Sequence, residues 1–229
     1  MSGANPSGDP RPDLRHIDTW LFDLDNTLYP LESGLAGRMS PRITDFVVKV
    51  TGLPREEAYV LQKRYLAEHG LTLRGLMIDH GVDPDVFHAS FHDVPLDCLA
   101  RDEALKAAIA GLPGRRIIFT NADEIHCQRV LERLGLEGLF DEVFHIGSAD
   151  FAPKPSAQAF ERIIAAHAID PAATAFFEDA ERNLEPAAAL GMTTVLVGSH
   201  AQDSTAPFVH YRARQLAPFL ATARIKESP

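Results

Sequence analysis

The strongest constraint in this sequence is an alternation. From residue 102 onward, short apolar runs are each followed by a stretch with helical spacing. The runs at 116–119, 142–146, 174–177 and 193–197 predict strands, and 208–212 predicts a strand at the sheet edge. The stretches at 102–110, 124–134, 155–167, 182–190 and 216–224 predict helices, with Gly135 and Gly191 placed as C-terminal stops. Such alternation predicts an α/β fold: a doubly wound parallel sheet covered by helices on both faces.

The sheet has an earlier member. Apolar residues from Trp20 to Phe22 form a strand signal that runs into Asp23, Asp25 and the turn residues Asn26-Thr27, and Pro30 forbids its continuation. Asp23 and Asp25 are two apart, so an extended chain puts both carboxylates on one face. Close carboxylates repel unless a cation or a shared proton compensates, and a divalent metal is the economical answer. In parallel sheets ligands bind outside the carboxyl ends of the strands, where these acids stand.

Residues 31–98 break the alternation. Leu35, Met39, Ile43, Phe46, Val47 and Val50 recur at helical spacing, and Gly52 stops that helix. Pro54 opens a second helix that His69-Gly70 ends; short helical pieces follow from Leu73 to His80 and after Asp83-Pro84. The block reads as an inserted helical cap over the strand ends. The expected organisation is a disordered tail at 1–15, a core at 16–30 and 99–225, and the cap at 31–98.

Charge narrows the partners. A net charge of −10 and a pI of about 5.4 argue against nucleic-acid polymers or anionic membrane, which call for a basic face. No run approaches the ~20 apolar residues of a membrane span. Cys98 and Cys127 are the only cysteines and show no metal spacing, so a reducing cytoplasm is the simplest setting. The expected partner is a small molecule, with the chain a monomer or a homodimer.

Four strand ends bring polar groups to one edge: Asp23 and Asp25, Thr120 and Asn121, Lys154, and Glu178 and Asp179. Singly, each has an ordinary explanation: Thr120 a helix cap, Lys154 a solvated lysine, Glu178-Asp179 acids at a helix start. Together they supply acids for a metal, a hydroxyl donor and a fixed cation. These are the parts that hold a phosphoryl group and neutralise charge during its transfer. His88 and His92 are four apart but lack the intervening glutamate of a zinc helix, and read as packed or solvated.

In order and spacing, the 23–27 Asp-Leu-Asp-Asn-Thr, the 119–122 Phe-Thr-Asn-Ala, Lys154-Pro155 and the 177–184 Phe-Glu-Asp-Ala-Glu-Arg-Asn-Leu resemble the four motifs of the haloacid dehalogenase superfamily, over about residues 17–224. With Pro30 and the 71–76 stretch added, the chain is similar to the pyrimidine 5′-nucleotidase branch. The resemblance implies a Rossmann-like core with a helical cap, Asp23 as nucleophile, and Asp25 as acid and then base. It implies phosphate binding by Thr120, Asn121 and Lys154. It implies Mg²⁺ on Asp23, Asp25, Asp179 and Glu178, with Asn183 orienting the acids. Thr72 and Arg74 become candidates for specificity. The implied activity is hydrolysis of a phosphate monoester through an aspartyl-phosphate, with a pyrimidine nucleotide as substrate. Alternatives are a sugar-phosphate phosphatase or phosphomutase and, from another class, a phosphorylatable receiver-like signalling domain. Receivers are shorter, lack an inserted cap and carry the acceptor on a later strand.

Overall fold

The computed structural model describes residues 11–226. The sheet has six strands, all parallel, in the order β3-β2-β1-β4-β5-β6. They are β1 (Thr19–Phe22), β2 (Arg115–Phe119), β3 (Glu142–Phe144), β4 (Thr174–Glu178), β5 (Thr193–Val197) and β6 (Tyr211–Ala213). The first strand in sequence is central, and every crossover helix packs back on one face or the other. This is the expected α/β architecture.

Alternation along β1 divides the core. Trp20 and Phe22 join one buried cluster and Leu21 the other, because successive side chains leave opposite faces of a strand. Phe22 stacks on Phe177 of β4 at 4.8 Å between centroids, and Trp20 stacks on the same ring at 6.3 Å. The Trp20 indole also donates to the Pro113 carbonyl at 2.6 Å. On the far face, Phe119, Phe160 and Phe176 meet edge-on or tilted. Deleting such a ring costs about 3–5 kcal/mol, so this aromatic packing holds the strand ends in register.

Five helices lie between β1 and β2; the first four are α1 (Leu35–Thr51), α2 (Arg55–His69), α3 (Thr72–His80) and α4 (Pro84–Ala89). Gly52, Gly70 and Gly81 end the first three in the left-handed conformation that glycine tolerates. Pro41 lies inside α1, in its second turn, and the helix continues through it. A Cβ on Gly75 would lie 2.2 Å from the Tyr65 ring, so a glycine is required where α3 crosses α2. The core helices are α5 (Glu103–Ala110), α6 (Glu124–Leu134), α7 (Ala157–His167), α8 (Glu181–Ala189) and α9 (Leu216–Thr222).

Two expectations need correction. The edge strand expected at 208–212 begins three residues later, because Phe208 and His210 are occupied with Thr194: its hydroxyl donates to the Phe208 carbonyl, and its backbone N–H donates to His210 Nδ1. The disordered tail expected at 1–15 does not reach that far. Asp13 bridges to Arg224, the Leu14 N–H donates to the Arg224 carbonyl, and Leu14 is fully buried. Residues 1–10 lie outside the described residues. Among those described, no helix is long and apolar enough to cross a membrane, and both cysteines are free.

Candidate active site

The site assembles where β1, β2 and β4 end. Each strand finishes on a buried phenylalanine or glutamate, and the next residues turn outward into a cavity of about 440 Å³. Asp23, Asp25, Thr120, Asn121, Lys154, Glu178, Asp179 and Asn183 all line it. α1–α4 close it from above with Met39, Ile43, Leu66, Phe87 and Phe91.

Lys154 is the hub. It is 1% exposed, and its Nζ donates to Asp23 Oδ1 at 2.8 Å, to Glu178 Oε2 at 2.7 Å and to the Phe119 carbonyl at 2.7 Å. All three ammonium hydrogens are therefore placed. Burial alone would push the lysine down, but Asp23 and Glu178 outweigh it and hold the ammonium charged. Asn121 fixes the backbone of Lys154 from both sides: its Oδ1 accepts from the Lys154 N–H at 2.8 Å and its Nδ2 donates to the Lys154 carbonyl at 3.2 Å. Any ligand contact by Asn121 is thus left to its backbone.

The ordinary explanations do not describe these residues. The cap of α6 is Asp123, not Thr120. Thr120 accepts from the Ala122 N–H at 3.0 Å, which leaves its hydroxyl hydrogen for a ligand oxygen. Glu178 and Asp179 precede α8, whose first-turn acid is Glu181.

Asp23 and Asp25 occupy opposite environments. Burial pushes Asp23 up to about 7, Glu178 adds repulsion, and Lys154 only partly offsets them. Thr27 donates to its second oxygen at 3.2 Å. Burial also opposes the charge on Asp25. There it is overcome by His126 Nε2, 2.8 Å from Asp25 Oδ1, and by the Tyr29 hydroxyl at 2.5 Å on the same oxygen. The carboxyl of Asp25 is held below its usual range, and His126, despite burial, is held above its own.

The acids also fit a metal. Asp23, Glu178 and Asp179 each offer an oxygen, all within 4.8 Å of one another. Burial, then Asp23 and Glu178, push Asp179 up to about 9. One ammonium faces three carboxylates, and Asn183 Oδ1 is buried in the same cavity without a partner. Oxygen donors with surplus negative charge suit a hard divalent cation. Glu178 is the most committed of the three, since Lys154 takes one oxygen and the Ala180 N–H the other at 3.1 Å.

The cap candidates divide. Thr72 lines the cavity, but its hydroxyl donates to the Gln62 carbonyl at 3.1 Å. Arg74 does not reach it and lines a separate outer depression with Pro153 and Arg182. His88 is buried against Phe87 and Phe91, and burial lowers it. His92 reaches across to Asp123 at 2.9 Å. Sequence reasoning missed Tyr29 and His126. Tyr29 stood four residues beyond Asp25, a signal available in the turn; His126 is 101 residues away and gave none.

The comparisons agree with this geometry. Residues 17–191 match the model of haloacid dehalogenase-like hydrolases. Phosphate metabolism protein 8 of Saccharomyces cerevisiae is 28% identical over 209 residues; the match covers 84% of this chain and spans 65% of that relative's length. A HAD phosphatase from Thermococcus onnurineus superposes with a TM-score of 0.58 at 20% identity, covering 91% of this chain and all of that one. The L-2-haloacid dehalogenase of Xanthobacter autotrophicus gives 0.54 at 15%, covering 90% and 97%. Likeness at that identity speaks for the fold. With the family model spanning most of the chain and its motifs meeting in one cavity, the chain belongs to the haloacid dehalogenase-like hydrolases.

Proposed function

We propose that this hydrolase is a Mg²⁺-dependent phosphomonoester hydrolase that works through an aspartyl-phosphate, with pyrimidine nucleoside monophosphates as substrates. The observation that carries the reading is Asp25. A second carboxylate two residues after the nucleophile, fixed by Tyr29 and His126, has a task in expelling an alcohol and none in displacing a halide.

Asp23 attacks phosphorus, and the P–O bond to the alcohol breaks as the Asp23–phosphate bond forms. Thr120 and the backbone N–H of Asn121 donate to the phosphoryl oxygens, and Lys154 stands beside them as a fixed positive charge. The Asp25–His126 pair shares one proton, which passes through Asp25 to the leaving oxygen. In the second half Asp25 takes a proton from water as that water attacks phosphorus, and Asp23 is released. Asp23, the backbone carbonyl of Asp25, and Asp179 would hold the metal, with Glu178 beside them. When bound it neutralises phosphate charge and relieves the repulsion among the acids. The yeast relative, a phosphate metabolism protein by name, is consistent with this chemistry. The apolar roof favours a base over a sugar as the group beyond the ester.

The test is phosphate release at neutral pH, with and without Mg²⁺. The substrates are UMP, CMP, dTMP, AMP, GMP and several sugar phosphates, with Asp23→Asn as blank. Pyrimidine monophosphates should react fastest and only with metal. Halide release from 2-haloacids without phosphate release would overturn the reading.

A further inference from the structure

The roof is largely apolar, with Ser40, Lys63, Thr72 and His88 as polar members beside one buried amide. Gln62 of α2 is 3% exposed and lines the cavity, although most polar residues of α2 are exposed. A buried amide needs partners for two hydrogens and its oxygen. Its neighbours supply only some of them. The Thr44 hydroxyl lies 2.6 Å from Gln62 Oε1 and 2.9 Å from the Ser40 carbonyl. The Ser40 carbonyl lies within α1 and takes the helical N–H of Thr44, so the hydroxyl hydrogen serves Gln62 Oε1, and that oxygen keeps its second lone pair open. Gln62 Nε2 donates to Ser40 Oγ at 3.2 Å, which uses one of its two hydrogens. The amide therefore keeps one open position at each end, a lone pair on Oε1 and a hydrogen on Nε2, side by side.

We propose that Gln62, held by Ser40 and Thr44, reads the polar edge of the leaving group. The chemical class is a phosphate ester whose leaving group carries a planar ring with a hydrogen-bond donor and an acceptor adjacent on its rim, as in an amide or imide. Such an edge makes two parallel bonds with a glutamine amide, while the ring lies against Ile43, Leu66 and Phe91. Phosphate binds at the strand ends and Gln62 sits on the helices above, so discrimination and chemistry are carried by different elements. Gln62 is thus a specificity residue. This rests on the phosphomonoesterase reading above.

A site that hydrogen-bonds a polar edge rejects ligands lacking it far more strongly than an apolar pocket can. The readout is the ratio of kcat/KM for UMP to that for p-nitrophenyl phosphate, whose ring has no donor–acceptor edge. Gln62→Leu removes both functions; Gln62→Glu keeps the size and an acceptor and loses the donor. Each should lower the ratio about tenfold or more. A damaged roof would lower both substrates together and leave the ratio unchanged. A ratio within twofold of the parent in either folded variant overturns the proposal, and Gln62→Glu decides if Gln62→Leu fails to fold. If the parent cleaves p-nitrophenyl phosphate but no ester with an amide-like edge, the proposal falls and the hydrolase reading stands. If the parent cleaves neither, the hydrolase reading falls and takes the proposal with it.

Discussion

The floor and the roof of the cavity are built on opposite principles. The floor, at the ends of β1, β2 and β4, is crowded with charge, and each group is fixed by bonds from a different strand. Lys154 alone ties Asp23, Glu178 and the Phe119 carbonyl. The roof, from α1 to α4, is largely apolar around a few polar groups, Gln62 the most buried amide among them, and its residues come from helices joined by glycine-terminated turns. The floor fixes its charges on one another at the expense of repulsion and leaves the Thr120 hydroxyl hydrogen and Asn183 Oδ1 open, while the roof leaves positions open on a neutral amide. That difference separates chemistry, which needs charge held in place before substrate arrives, from recognition, which needs groups a ligand can complete.

Substitutions in the floor should be the most severe. Asp23→Asn should lower phosphate release about 10⁴-fold or more with the circular dichroism spectrum unchanged, because it removes the nucleophile and keeps the shape. Retained turnover would sink the assignment. Lys154→Met should abolish turnover and destabilise the chain by about 3–5 kcal/mol, since two buried carboxylates lose their counter-charge. At this chain length that corresponds to roughly 10 °C in a thermal melt, and an unshifted melt would show the ion pairs to be dispensable.

Next come the groups around Asp25. His126→Gln should lower kcat about 10²-fold for esters of alkyl alcohols and less for p-nitrophenyl phosphate, which leaves without a proton. Equal losses on both would argue for a structural role alone.

The charge surplus of the floor has a signature in pH. Asp23 and Asp179 sit at about 7 and about 9, so the folded chain keeps protons that the unfolded chain releases. The contribution of these two groups to metal-free stability therefore falls as pH rises from about 4 to about 9. Asp25, held low, acts the other way, and its contribution is lost only below the ordinary carboxylate range. Added Mg²⁺ should raise the melting temperature most at the top of that window. Melts at several pH values in chelator and in Mg²⁺ measure this, and an equal gain at every pH would contradict it. The smallest effect belongs to the roof's outer side: Arg74→Ala should change kcat/KM less than twofold, as expected of a residue outside the cavity.

The same contrast explains what the sequence made legible. The floor could be read because most of its residues stand at the ends of apolar strands, and a strand end is a local signal. Asp23, Thr120 and Glu178 fall at such ends, Lys154 lies on the loop between β3 and α7, and parallel topology gathers them. His126 could not be read. Its bond to Asp25 depends on how α6 sits beside β1, which no local pattern records. Gln62 was hidden in another way, since a glutamine on a charged helix looks solvated until the packing of α1 against α2 buries it. Arg74 shows the converse error. A motif places a residue on a helix, but only the packed roof decides which side of it faces the ligand.

Trp20 is the only tryptophan in the chain, and it lies in the middle of β1, stacked on Phe177 with its indole N–H on the Pro113 carbonyl. Excited near 295 nm, the chain is therefore a single-fluorophore reporter planted three residues before Asp23 in the sheet. Emission shifts will register melting of the sheet and stay silent to helix movements above the cavity. A titration that quenches nothing is no evidence that nothing bound, and motions of the roof call for a label placed there.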